Sequence, residues 1–294
     1  MEAVVNAASG SVGAGAAEAL EKIIASYGLG VRIANAAPKE ISAAVRAAIA
    51  AKPDLLVVLA GDGTAALAAR LAGPEGPLIA PLPGGTMNML PHALYGPVSW
   101  RDAIHATLSH GVVRPISGGE IGGEAFYVAA ILGAPALWAD AREAVRAGRL
   151  DLAWSRGKRA LGRAFSHKVH YTLGDGSVEK TEALTLMCPL VSRGLTHDGA
   201  LEAAALDPRD AGEALRLGFN AVTGSWRSDP SVRTTLTRQG VAWSRRRIPA
   251  VIDGEPCRLD PRVQFRFVPV AFRALAPPAE QIDSLSTQPA AAPL

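Results

Sequence analysis

Asp62 and Glu255 each stand beside a glycine, where a carboxylate could act on a ligand. Asp62 lies in "LAGDGTAA", after an uncharged run from Leu55 to Gly61 and before an Ala/Leu-rich stretch. Glu255 follows Asp253-Gly254 in "VIDGE". Around Asp62 the pattern is strand, glycine turn, helix. Glycines let a backbone approach a ligand closely, Thr64 can cap the helix, and the amides left over face an anion. A phosphate chain is the natural occupant of Gly61, Asp62, Gly63 and Thr64. A carboxylate in such a turn repels phosphate unless a cation lies between them, so Asp62 makes sense beside Mg2+ and a triphosphate.

A second turn of the same kind occurs in "PLPGGTMNML", where Gly84 and Gly85 precede Thr86 as a cap and Asn88 falls in the first helical turn. A third ends the first strand in "NAASG", where Asn6, Ser9 and Gly10 offer polar side chains and free backbone. Two familiar phosphate patterns do not fit. No G-x-x-x-x-G-K-[ST] string occurs. "GDGTAA" matches G-x-G-x-x-A, but the acid expected about 20 residues further on would fall near Leu82, in a stretch that has none.

These turns need a sheet to bring them together. The first 115 residues alternate apolar runs with helical stretches: "EAVVNA", "GAAEALEKIIASYG", "LGVRIANA", "PKEISAAVRAAIAA", "DLLVVLA", "TAALAARLAG", "PLIAPL" and "SWRDAIHATLSHG". Alternation of this kind predicts a parallel sheet flanked by helices, with Pro38 near the first turn of the second helix. Turns at the carboxyl ends of parallel strands face one crevice, so three of them predict one nucleotide-sized polyanion site. Beyond residue 115, Gly-rich turns separate short alternating runs through residue 275, the spacing of an antiparallel β-sandwich. Residues 276–294, "APPAEQ…" onward, are predicted as a disordered tail.

A helical, arginine-rich insertion interrupts the second domain. Ala141–Lys168 holds eight Arg and Lys against Glu143 and Asp151, with Trp154 and Phe165 interspersed. Such a stretch either lies on anionic lipid or forms a solvated helix face. Arg245-Arg246-Arg247 reads as surface, and Trp243 as core or interface. The overall charge of +3 gives no reason to expect a nucleic-acid partner. Cys188 and Cys257 form no CxxC, which argues against a disulfide framework or a zinc site. Without a recognisable signal peptide or an apolar run of spanning length, the expected location is cytoplasmic. A homo-oligomer is left open.

"VVNAASG", "LAGDGT", "PLPGGTMN" and "VIDGE" occur in this order between Val4 and about Val270. Together they resemble the diacylglycerol kinase catalytic-domain family, which includes sphingosine and ceramide kinases and bacterial lipid kinases; NAD kinases and phosphofructokinases share the G-D-G turn. The resemblance implies an NAD kinase/phosphofructokinase-like α/β domain followed by a β-sandwich domain. It implies ATP bound by the "NAASG" loop, by Gly61 to Thr64 and by Thr86, and a lipid acceptor reached at the membrane surface, on its inner face. It also implies Glu255 as proton acceptor, and a structural Mg2+ held by Asp198 with the carbonyls of Leu195 and Ala200. The chain departs from the family at Ala60 in "AGDGT", at Met87 where a glycine is usual, and at His197 before Asp198-Gly199.

From the residues alone, Asp253-Gly254 is also a good type I′ hairpin turn, and Asp175-Gly176 is the same dipeptide without a motif around it. A hairpin tip and a catalytic base are compatible. Phosphoryl transfer would then use Asn6, Thr64, Thr86 and the glycine amides as donors. Asp62 and Glu255 would share the roles of Mg2+ or acceptor positioning and proton acceptance, in either assignment. The rivals are a kinase of a soluble acceptor such as NAD, although the chain lacks the Asn-Glu pair of NAD kinases, and a nucleotide-binding regulator without turnover.

Overall fold

Six consecutive buried residues, Leu55–Ala60, form the strand β3. Burial on both faces is what a central parallel strand requires. The computed structural model describes residues 1–133, 168–192, 199–207 and 226–280. Of the expected features, Leu195, Asp198, the tail from 281 and the basic segment 141–168 apart from Lys168 lie outside these residues. Contacts divide the chain into two units, Met1–Ser117 with the chain from Val270, and Gly118–Pro269.

In the first unit, β1 (Glu2–Val5), β2 (Arg32–Asn35), β3 and β4 (Leu78–Pro83) pair in parallel in the order β2-β1-β3-β4. The helices α1 (Ala16–Ser26), α2 (Ile41–Ala50) and α3 (Asp62–Ala72) connect them, and α4 (Met89–Tyr95) and α5 (Trp100–His110) follow β4. Each of the longer ones buries a stripe at helical spacing: Ala16, Leu20 and Ile24 in α1, and Ala65, Ala68, Ala69 and Ala72 in α3. Ser99 caps α5, its hydroxyl oxygen accepting from the Asp102 amide at 3.2 Å. The expected alternation of strand and helix is what forms.

Three cap positions differ from expectation. Gly61 caps α3 in place of Thr64, because Asp62 and Gly63 are already helical; the Gly61 carbonyl accepts from Thr64 and Ala65 at 3.0 and 3.1 Å. Asn88 caps α4 in place of Thr86, with φ 51 in the left-handed region that asparagine tolerates. Glu40 precedes α2, which leaves Pro38 outside the helix.

The second unit is a sandwich of two antiparallel sheets. One runs β12-β11-β10-β7-β14-β15: Val232–Thr237, Leu201–Leu206, Ala183–Met187, Ala129–Gly133, Ile248–Ile252 and Glu255–Leu259. The other contains β16 (Arg262–Ala276), β13 (Gln239–Trp243), β8 (Val169–Leu173) and β9 (Glu179–Thr181) side by side, with β5 (Val112–Ile121) paired to β6 (Glu124–Phe126). Inward residues of both sheets, among them Leu132, Tyr171, Leu186, Ala250 and Phe265, make one apolar core. The chain passes between the units within β5 and again within β16, whose distal half pairs with β4 in parallel at Ala274 and Ile79.

Candidate active site

The three glycine turns leave the ends of β1, β3 and β4, which are sheet neighbours, and they touch. Asn6 donates its amide to the Leu59 carbonyl at 3.0 Å, while its side-chain oxygen accepts from the Ala8 amide at 3.1 Å. Its carbonyl accepts from Ser9 at 2.9 Å, which folds the first loop back. A Cβ on Gly10 would stand 3.0 Å from the Gly85 carbonyl carbon and 3.1 Å from the Thr86 hydroxyl, and one on Gly85 would stand 2.9 Å from the Gly61 Cα. The loops meet backbone to backbone, so these positions have no room for a side chain.

Ser11, which carries no motif signal, ties the first loop to the third. Its amide donates to the Gly84 carbonyl at 3.2 Å, and its hydroxyl lies 3.3 and 3.4 Å from the carbonyls of Pro83 and Gly85. Asn88, predicted as a ligand-binding side chain, instead closes its own turn: its oxygen accepts from the Gly85 amide at 2.6 Å and its nitrogen donates to the Gly85 carbonyl at 3.0 Å. Among the residues open at the surface are Gly10, Gly63, Thr86 and Met87, the last 40% exposed where the family has glycine.

Asp62 opens α3 and turns toward the start of α4, where the Leu90 amide donates to its Oδ1 at 3.4 Å. Burial raises its pKa above the ordinary aspartate value. The amides of Leu90, Asn88 and Met89 and the nearby His92 pull in the opposite direction without cancelling that rise. A half-buried acid among open amides is poorly compensated by protein alone, and a bound cation would supply the missing charge.

The donor set fits a magnesium-nucleotide. The amides of Asp62 and Gly63 head α3 and have no carbonyl four residues back within it, Thr64 and Thr86 add hydroxyls, and the interlocked glycines bring backbone to the surface. Mg2+ commonly takes one or two carboxylates together with phosphate oxygens, which Asp62 and a triphosphate would provide. The residues expected to hold a structural metal are only partly described. Gly199, beside Ala200, has its carbonyl engaged by Arg238 Nε at 2.9 Å. Glu202, next along β11, is buried and bound by Arg227 at 2.8 and 2.9 Å and by the Ser192 hydroxyl. Burial alone would raise the Glu202 pKa; these partners prevail and lower it.

In the second unit Glu255 begins β15, exposed, immediately after the turn Asp253-Gly254. Both turn residues have positive φ, 45 and 89, as a type I′ hairpin demands. Asp253 does more than turn the chain. Its carboxylate accepts from the amides of Tyr127, Val128 and Ala129 at 2.7, 2.9 and 2.9 Å, and its own amide donates to the Ala129 carbonyl at 2.9 Å. The hairpin that presents Glu255 is thereby bolted to the start of β7. The Gly174-Asp175 turn between β8 and β9 is exposed.

Residues 2–121 match the family model of the diacylglycerol kinase catalytic domain, the family that the four motifs resemble. The chain is similar in fold to a diacylglycerol kinase from Bacillus anthracis str. Sterne, at 16% identity and a TM-score of 0.69, with 95% of this chain and 97% of that one covered. It also shares its fold with an NAD kinase from Archaeoglobus fulgidus that was solved in complex with ATP, at 13% identity and a TM-score of 0.51, with 96% and 94% covered. No curated protein matches the chain. No helix among the described residues is long and apolar enough to cross a membrane.

Proposed function

We propose that the chain is an ATP- and Mg2+-dependent kinase that phosphorylates a hydroxyl of a diacylglycerol-like or sphingoid-like lipid. The convergence of three backbone-lined turns around the half-buried Asp62 carboxylate carries this reading. The family match over residues 2–121 supports phosphoryl transfer to lipid as its class.

The amides of Asp62 and Gly63 and the hydroxyls of Thr64 and Thr86 hold the phosphates, and Asp62 takes the metal side of the nucleotide. Mg2+ held there would neutralise charge on the phosphate oxygens and so ease the approach of an alcohol to the γ-phosphorus. Glu255 accepts the proton as the acceptor oxygen bonds to the γ-phosphorus and the bond to ADP breaks. Asp253 fixes the turn from which Glu255 projects. The reading is tested by transfer of labelled γ-phosphate from Mg·ATP into a mixed lipid extract, with wild type and Glu255→Gln side by side. Label in the organic phase with wild type alone is the expected result. Label with both moves the proton acceptor to Asp62. No label, with ATP bound, replaces the lipid by a soluble acceptor or removes turnover altogether.

A further inference from the structure

The outward face of one sheet in the second unit carries a row of cationic and aromatic residues that the phosphotransfer site does not use. Lys180, His170, Trp243 and Arg262 are register partners on four adjacent strands, β9, β8, β13 and β16. Register partners share one face of a sheet, and strand spacing makes this row about 14 Å wide. Their chain neighbours Val169, Tyr171, Ala242 and Val263 point into the core. The row therefore faces outward.

The Trp243 ring stands between its neighbours. The His170 ring stacks on it at 5.8 Å between centroids and 18° between planes, and the Arg262 guanidinium carbon lies 5.4 Å from the ring centroid. β13 runs between β8 and β16, so these partners approach the indole from the strands on either side. Beyond Trp243 the chain turns through the exposed Arg245, Arg246 and Arg247. The turn is held by the Ser244 amide on the Pro261 carbonyl at 2.8 Å and by the Arg246 amide on the Ser244 hydroxyl at 3.3 Å. Of the nearby acids, Asp260 pairs with Arg247 at 3.4 Å and Glu179 with Arg233 at 2.9 Å. Glu120 is taken by Arg266. Lys180, Arg245, Arg246, Arg247 and Arg262 against Asp260 leave this end of the sheet at +4.

We infer that this face docks on an anionic phospholipid surface, with Arg245, Arg246, Arg262 and Lys180 on headgroup phosphates and the Trp243 edge at headgroup level. Charge complementarity selects an anionic partner, since each cation near such a surface contributes about 1 kcal/mol. An indole already in contact with the His170 ring and the Arg262 guanidinium favours lipid over single-stranded nucleic acid, which needs an open aromatic face for base stacking. The surface differs from the segment 141–168 considered from sequence. It does not depend on the kinase reading, because docking is measured without nucleotide or transfer.

The test is co-sedimentation of the full chain with phosphatidylcholine vesicles, with and without phosphatidylglycerol, at low and high salt. The expected result is binding only to the anionic vesicles, weakened by salt. About five-fold is lost per neutralised cation, on the order of 25-fold for Arg245→Gln with Arg246→Gln. Both side chains are exposed at a turn, and an unchanged melting temperature confirms the fold. Lys22→Gln with Lys39→Gln, an equal loss of charge in the first unit, is expected to bind as wild type. No binding to anionic vesicles, or equal loss in both double variants, overturns the inference. Tighter binding of a single-stranded oligonucleotide, lost in the arginine variant, would assign the face to nucleic acid instead.

Discussion

Replacing Gly63 with alanine separates a glycine kept for folding from one kept for a ligand. Gly63 is the second residue of α3, lies outside the positive-φ set, and a Cβ built there meets nothing within 4 Å. Alanine should thus be welcome to the fold, worth up to about 0.5–1 kcal/mol in a helix through reduced backbone entropy. For a domain of this size that is a rise in melting temperature of roughly 1–4 °C. If phosphate occupies the open space, the added methyl group intrudes on it. Mg·ATP at a hundred times its dissociation constant stabilises a protein by about 2.7 kcal/mol, so wild type should melt several degrees higher with nucleotide. Gly63→Ala should melt higher than wild type without nucleotide and lose most of that further shift. The assay is a pair of thermal melts, with and without Mg·ATP. A variant that gains stability and keeps the full shift would refute the placing of phosphate at this turn.

Asp62→Asn keeps an oxygen for the Leu90 amide while removing a half-buried charge, so it should melt no lower than wild type at neutral pH yet lose phosphotransfer, read by the labelled-phosphate assay. Asp253→Ala strips the acceptor from three amides and should cost on the order of 3 kcal/mol in urea unfolding, whereas Asp175→Ala, at an exposed turn, should stay within about 0.5 kcal/mol. Burial pushes Tyr95 up to about 12 from 10, so above pH 10 the unfolded tyrosine gives up its proton while the folded one keeps it. Stability should therefore fall from pH 10 to pH 12, by up to about 3 kcal/mol from this group. Tyr95→Phe should flatten that part of the alkaline denaturation curve.

Much of the first unit is local, and local signals survive in sequence. Uncharged runs such as Leu55–Ala60 and glycine turns after them encode parallel strands and their ends, and the touching of the three turns follows from strands that are neighbours. The cap positions were less legible because Thr64, Thr86 and Asn88 are all acceptable caps by type; the choice falls to backbone geometry already set by Gly61 and Gly85. Ser11 left no mark, since its partners at Pro83, Gly84 and Gly85 are far away in sequence. Asp253 was hidden behind its own turn signal. A type I′ dipeptide explains aspartate there so well that a carboxylate clamp on Tyr127, Val128 and Ala129 has nothing further to show in sequence.

The return of β16 has a consequence for how the molecule is made. Phe272, Ala274 and Ala276 are fully buried, the Arg273 guanidinium donates to the Gly76 carbonyl at 2.8 Å, and Arg114 reaches the Pro277 carbonyl at 3.1 Å. The parallel sheet of the first unit is thus finished by residues synthesised more than 150 positions after its other strands. On the ribosome, the glycine turns emerge early on a sheet that lacks its last strand, and the intervening sandwich is threaded before the sheet closes. A fragment cut at residue 121, where the family match ends, would leave the β4 edge bare. Such a fragment should express as an aggregation-prone piece, with its missing strand supplied only by a peptide that carries residues 270–280.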